Sequence, residues 1–234
     1  MTDDILAIIP ARAGSKRLPG KNSKLLCGKP LVQWTIEAAK QCHSISEVVV
    51  STDSEEIANI AQKIGAEPPF LRPKEISGDE STGMDVVKHT LNYYREHGRE
   101  FNYVLMLQPT SPLRTSDNIQ EAINTLHAKS ADGIISVCEC EHPPMWSNTL
   151  EADSSMVGFV SDFVRSNPRS QALRTHYRLN GAIYIAKVDS LLAQNSFFLD
   201  KNIFAYVMEA ENSIDIDNLL DFKQAEYLLI DRQE

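Results

Sequence analysis

Apolar and polar positions along the chain switch repeatedly between two periods. Short apolar runs of strand length occupy residues 5–9, 48–50, 103–107, 133–138, 182–186 and 202–208. Helical spacing lies between them. Leu31, Trp34, Ala38 and Cys42 share one face of a helix predicted over 29–42, and Ile57, Ile60, Ala61 and Ile64 follow a capping-box-like pair, Asp53 and Glu56. Ser81 and Thr82 lead a helix that turns Met84, Val87, Leu91 and Tyr94 inward. Further helices carry Ile119, Ala122, Ile123 and Leu126, then residues 188–193, then Leu219, Phe222, Ala225 and Leu229 near the C-terminus. This alternation predicts an α/β fold, a mostly parallel sheet flanked by helices on both faces. A site would then lie along the C-terminal ends of its strands.

The rhythm stops between residues 139 and 177. His142-Pro143-Pro144 breaks the chain, and mixed polar, acidic and aromatic residues follow without a long period. Long irregular insertions of this kind usually carry function. The 234 residues read as one domain, 1–234, with 139–177 an inserted arm within it.

Charge changes the picture most at the first strand. The chain has a formal charge of −9, yet no Asp or Glu occurs from residue 5 through residue 36. The loop after the strand holds Arg12, Lys16, Arg17 and Lys21 around Gly14, Pro19 and Gly20. Concentrated positive charge on a glycine-bearing loop behind a buried strand suits a polyanion. The dinucleotide fingerprint is absent. The Walker pattern nearly fits, but five residues separate Gly14 from Gly20, and Asn22 stands where a Ser or Thr would meet magnesium. A metal here would need carboxylates from elsewhere, and Glu209, Glu211, Asp215, Asp217 and Asp221 gather late in the chain. In an extended segment Asp215 and Asp217 face the same way. Asp217 also suits the N-cap of the last helix, and Asp53 suits either a cap or a ligand contact at a strand end.

Composition narrows the class. Hydrophobic residues make up 42%, enough for a sizeable core, and the acidic balance argues against a general nucleic-acid binder. No apolar stretch approaches the roughly 20 residues of a membrane span, and the acidic start MTDD lacks a signal-peptide n-region. A cytoplasmic protein without membrane or nucleic-acid partners is expected. Cys138, Cys140 and His142 alternate, but no second ligand pair follows at finger-like spacing, so the four cysteines read as buried thiols.

The first loop resembles the signature of the acylneuraminate cytidylyltransferase (CMP-sialic acid synthetase) family of sugar nucleotidyltransferases. Its pattern A-R-x-x-S-K-x-x-P-x-K-N is met by Ala11, Arg12, Ser15, Lys16, Pro19, Lys21 and Asn22. LRPKE at Leu71, LQPTSPLR at Leu107, NGAIYI at Asn180, SFF at Ser196 and SIDID at Ser213 resemble the same family in order. The resemblance therefore covers nearly the full chain.

It implies a Rossmann-like nucleotidyltransferase fold with an inserted dimerisation arm, hence a homodimer. The implied reaction joins CTP and a nonulosonic acid, a nine-carbon 2-keto acid sugar, to give the CMP-sugar and pyrophosphate with Mg2+ as cofactor. Arg12, Lys21 and Asp217 would be catalytic. Ala11, Arg12, Ser15, Lys16, Lys21, Asn22, Arg72 and Ser81 would bind the nucleotide, and Asp215 and Asp217 the metal. Gln108, Arg169, Arg178, Asn180, Tyr184, Phe197 and Phe198 would bind the sugar, although one of the adjacent phenylalanines could be core. A Kdo cytidylyltransferase would lack the QPTSPLR loop and the Phe-Phe pair, and a pseudaminic acid cytidylyltransferase resembles the chain in the first third but less well at QPTSPLR. A catalytically inactive nucleotide-binding regulatory protein is the non-enzyme alternative. The pairing of the basic loop with Asp215 and Asp217 counts against it.

Overall fold

A computed structural model describes residues 4–166 and 174–232. In chain order the strands are β1 (Ile5–Pro10), β2 (Leu25–Leu26), β3 (Lys29–Pro30), β4 (Glu47–Ser51), β5 (Tyr103–Met106), β6 (Gly133–Glu139), β7 (Tyr177–Lys187) and β8 (Ile203–Val207). The α-helices are α1 (Leu31–Gln41), α2 (Glu55–Lys63), α3 (Gly83–Glu96), α4 (Ser116–Ala128), α5 (Asp162–Ser166), α6 (Val188–Gln194) and α7 (Leu219–Asp231). Six strands form one sheet in the order β4-β1-β5-β7-β6-β8, and β2 and β3 make a small separate ribbon. β7 is antiparallel to both neighbours, and the other five strands run parallel to one another.

The apolar run at the start of the chain is continuous because β1 is buried on both faces. Ile5, Ala7 and Ile9 enter one core cluster with residues of α1, α2 and α4, while Leu6 and Ile8 enter the other with Val86, Val87 and Leu91 of α3. Side chains alternating across a parallel strand covered on both faces need this pattern. A third cluster positions the site. Leu18 of the first loop, Leu113, Ile216 of the acidic segment and Phe222, Ala225 and Leu229 of α7 pack together. Burying a Leu or Ile side chain is worth about 1.5–3 kcal/mol. Leu18 and Ile216 thus clamp two loops, far apart in sequence, side by side.

Local expectations are corrected at several ends. The helix expected from 29 starts at Leu31, because Lys29 and Pro30 pair with Leu25 and Leu26. Ser54, not Asp53, caps α2, its hydroxyl accepting the Ile57 N–H at 3.3 Å. Asn218, not Asp217, caps α7, in a capping box with Asp221. Leu219 is exposed rather than inward.

The strand expected over 182–186 begins at Tyr177 and so returns out of the arm. Within it, two steps of β6 (Ile135 to Val137) oppose five of β7 (Tyr184 to Leu179). The extra residues form a bulge, and Gly181 adopts φ +74 there, a left-handed value that suits glycine.

Candidate active site

β1, β4 and β5 run parallel, and the loops leaving β1 and β5, with Arg72, the start of α3 and Asp217, line a cleft of about 460 Å³. The first loop is anchored at both ends. The Ala11 N–H donates to the Ser51 carbonyl at 2.9 Å, and the Ala13 N–H donates to Asp53 Oδ1 at 2.8 Å. Asn22 is buried, and its Nδ2 donates to the Arg12 carbonyl at 2.9 Å, closing the loop on itself. Gly20 turns the chain at φ +64 into the short helical turn Lys21–Ser23.

This anchoring presents Arg12, Ser15, Lys16, Arg17 and Lys21 to the cleft. Ala11 does not join them: its side chain lies in the core and it is not among the residues lining the cleft. Asp53 is a brace for the loop and does not line the cleft among the described residues.

Arg72 forms the opposite wall. Its backbone N–H donates to the Thr52 carbonyl at 2.7 Å, which fixes the segment against the end of β4. The guanidinium is buried, with Asp53 Oδ1 4.0 Å away, and its Nε and Nη2 have no hydrogen-bond partner. Burial depresses its pKa, against the pull of Asp53, and the neighbouring Arg12 lowers it further. Buried donors without partners are costly and mark a place where a ligand's acceptors fit. Beyond Arg72, Ser81, Thr82 and Gly83 bring the N-terminus of α3 to the cleft, capped by Thr82 and Asp85 in a capping box. That helix end adds partial positive charge.

Two acidic groups meet the cations. Asp79 takes Lys16 at 2.6 Å and Arg12 at 3.1 Å, and both cations hold its carboxyl below the usual range, the Lys16 hydrogen bond foremost. Asp217 takes Arg17 at 2.6 Å and lies 3.8 Å from Lys21 Nζ, which itself donates to the Ile216 carbonyl at 2.6 Å. Burial pulls the Lys21 pKa down, while Asp217 and Asp215 push it back up. Asp215 keeps access to solvent, yet desolvation by its surroundings raises its carboxyl above its usual value; a hydrogen bond from Thr110 opposes this and the Asp217 charge adds to it.

Asp217 thus lines one end of the cleft, and Asp215 lies close enough to feel its charge and that of Lys21. Two carboxylates with oxygen donors fit a magnesium ion whose remaining ligands are water and phosphate oxygens. Among the described residues no group of three or more His, Cys, Asp or Glu could hold a metal, Asp215 and Asp217 included. The donor set therefore suits a cation shared with a bound phosphate rather than one held by protein alone.

The expected sugar residues divide. Gln108, at the end of β5, lines the cleft, and its Oε1 accepts from Thr110 Oγ1 at 3.4 Å. Tyr184 is half-buried and packs against Phe197 and Phe198, with ring centroids 5.9 and 6.3 Å apart. Burial raises its phenol pKa, and so does Asp215. Phe197 is buried in the core, while Phe198 is 55% exposed. Asn180 departs from expectation. It is buried, its Oδ1 lies 2.6 Å from Ser136 Oγ, and its Nδ2 donates to Ser213 Oγ at 2.9 Å, so its amide braces the β7 bulge instead of facing a ligand. Arg178 is exposed on β7 opposite Cys138, away from the cleft lining. Arg169 lies outside the described residues.

Asp79 was not foreseen. Its partners stand more than 60 positions away, and nothing in the Gly78-Asp79-Glu80 turn signals them.

The cytidylyltransferase family model matches residues 6–231. The chain is 37% identical to a CMP-N,N'-diacetyllegionaminic acid synthase of Legionella pneumophila, over 98% of each protein. It is 37% identical to an N-acylneuraminate cytidylyltransferase of Escherichia coli over 96% of this chain but 52% of that protein, so it spans about half the length of that relative. Among solved structures, a CMP:2-keto-3-deoxy-manno-octonic acid synthetase complexed with CTP matches with a TM-score of 0.70 at 19% identity, covering 98% of this chain and 99% of that one. This likeness bears on the fold alone.

Proposed function

The chain belongs to the cytidylyltransferase family, and from that premise we propose that it joins CTP to a nonulosonic acid of the N-acetylneuraminic or legionaminic type. The products are the CMP-sugar and pyrophosphate. One observation carries the reading: a cleft lined by the loop cations, by buried Arg72 with unpaired donors and by Asp217, with Asp215 near enough to act on Lys21.

The sugar's anomeric hydroxyl oxygen attacks the α-phosphorus in line, its proton passes to solvent, the bond from the α-phosphorus to the bridging oxygen breaks, and pyrophosphate leaves with that oxygen. Catalysis of this kind is mainly positioning and charge stabilisation. Arg12 and Lys16 exchange Asp79 for the triphosphate, and Lys21 meets the charge that grows on the departing pyrophosphate. Arg72 holds the cytidine portion, with Ser15, Asn22 and Ser81 seating the rest of the nucleotide. Gln108, Tyr184 and Phe198 orient the sugar. Asp215 and Asp217 would hold magnesium, which when bound polarises phosphate oxygens and assists the attacking hydroxyl.

The proposal extends to a homodimer whose arm completes a neighbouring site. Support comes from Leu179, Val137 and Val207, which share one register row across the sheet beside the arm, with Leu179 and Val207 half-exposed. Among the described residues no helix is long and apolar enough to cross a membrane.

The test is pyrophosphate release from CTP with a panel of sugars: N-acetylneuraminic, legionaminic and pseudaminic acids and Kdo. Turnover is expected with a nine-carbon acid of the first two types. Binding of CTP without turnover on any sugar would make the chain a nucleotide-binding regulator instead.

A further inference from the structure

Arg114 closes the loop that leaves β5, immediately before the N-cap Thr115 of α4, and it is only 2% exposed. Among the described residues no carboxylate pairs with it, and its Nε and Nη2 have no hydrogen-bond partner. Burying a charge without a counter-ion is strongly unfavourable, so packing alone gives no reason for arginine here.

The bonds it does make point to the reason. Nη1 donates to the Ala182 carbonyl at 2.9 Å and reaches the Gln108 carbonyl at 3.3 Å. These carbonyls belong to the two chain segments that meet at the sugar end of the cleft. Gly181, one residue before Ala182, has its α-carbon turned to Gln108. A methyl group added there would lie 3.0 Å from Gln108 Oε1 and 3.6 Å from Asp215 Oδ2. The gap between β5 and the β7 bulge is therefore set to ångström tolerance, and Arg114 spans it from behind.

We infer that Arg114 is a positioning residue: its planar guanidinium ties the Gln108 and Ala182 carbonyls together and so sets where the Gln108 amide stands against the sugar. This rests on the cytidylyltransferase reading above. Both bonds leave one nitrogen, Nη1, so a lysine ammonium could reach the same carbonyls, but from a flexible stem that fixes their spacing less firmly than a planar guanidinium. The proposed nucleotide contacts lie on the first loop, Arg72 and α3, and the side-chain hydrogen bonds of Arg114 go to Gln108 and Ala182 instead.

The experiment compares Arg114→Met and Arg114→Lys with the parent in CTP affinity by calorimetry, KM for the sugar, kcat and melting temperature. Sugar KM should rise roughly tenfold or more in Arg114→Met, since small misplacements of orienting groups are costly. CTP affinity should stay within about twofold in the same variant, because its contacts lie elsewhere. Arg114→Lys should fall between it and the parent. An unchanged sugar KM, or equal weakening of CTP and sugar together with a lowered melting temperature, would overturn the inference and leave Arg114 a fold residue. If Arg114→Met does not fold, Arg114→Lys must show the same split at smaller size, and its absence is equally decisive. A parent that releases no pyrophosphate with any sugar would overturn the underlying reading and this inference together. An active parent whose variants lack the split overturns only the inference.

Discussion

The two ends of the cleft are built differently. The nucleotide end comes from short, local pieces: one loop between β1 and α1, Arg72 hydrogen-bonded to the end of β4, and the first turn of α3. The sugar end comes from partners far apart in the chain. Gln108 and Ala182 are held by Arg114, Asn180 is tied to Ser136 and Ser213, and Tyr184 is packed on Phe197. At the first end charged side chains do the work on a backbone that is braced locally. At the second, a bulged antiparallel strand must be held in place before any side chain can act. Loss of a nucleotide-end group should therefore remove a contact and spare the fold, whereas most changes at the sugar end should disturb both.

Lys21→Ala offers the largest separation. Lys21 touches both the acidic segment and the cleft, and a charge-assisted contact is worth about 1.5–3 kcal/mol. A fall in CTP affinity of roughly 10–100-fold follows, since each 1.4 kcal/mol is tenfold. Calorimetric titration checks it, and a parent-like affinity would remove Lys21 from the site.

The adjacent phenylalanines sharpen the sugar end. Phe197→Ala should destabilise by about 3–5 kcal/mol, the cost of emptying an aromatic core position. Phe198→Ala should leave stability within about 0.5 kcal/mol, as surface changes do, while weakening N-acyl sugars more than a deaminated analogue. Denaturant melts and paired KM values measure the two effects. Equal loss of both sugars on trimming Phe198 would mark it as packing only.

The smallest effect concerns Asp215. Its carboxyl has a higher pKa in the folded chain than in the unfolded one, chiefly through desolvation. The folded state therefore holds the proton more tightly, and ionised Asp215 weakens the fold above that raised pKa. The penalty fades as pH falls and vanishes below the ordinary value of 3.8. Asp215→Asn should melt above the parent at neutral pH, and the gap should close on acidification. A gap that widens in acid would contradict the assignment.

The same division explains what could be read from the sequence. β1 was legible because two buried faces demand an unbroken apolar run, and the loop after it because four cations stand on one short segment. Of the two roles the sequence leaves open for Asp53, it does not fill the cap, because the competing demand, the Ala13 N–H, comes from 40 positions away, leaving Ser54 to cap α2. The cap role also open to Asp217 falls to Asn218 for a similar reason: Asp217 answers to Arg17 across the clamp of Leu18 and Ile216. The start of β7 was hidden because Tyr177, Arg178 and Leu179 are exposed and follow an irregular segment. Asp79 and Arg114 act through contacts that no local period encodes.

The account turns on the acidic rim working with the cationic loop around one triphosphate. Asp217→Asn tests this most directly, because Asn218 keeps the α7 cap and the exposed Arg17 pair contributes little to stability. Pyrophosphate release measured across magnesium concentrations, beside the melting temperature, should show a near-parent melt and a raised magnesium requirement. Turnover should fall roughly 10–100-fold, the worth of one lost charged contact. Parent-like turnover at the parent's magnesium requirement would contradict it.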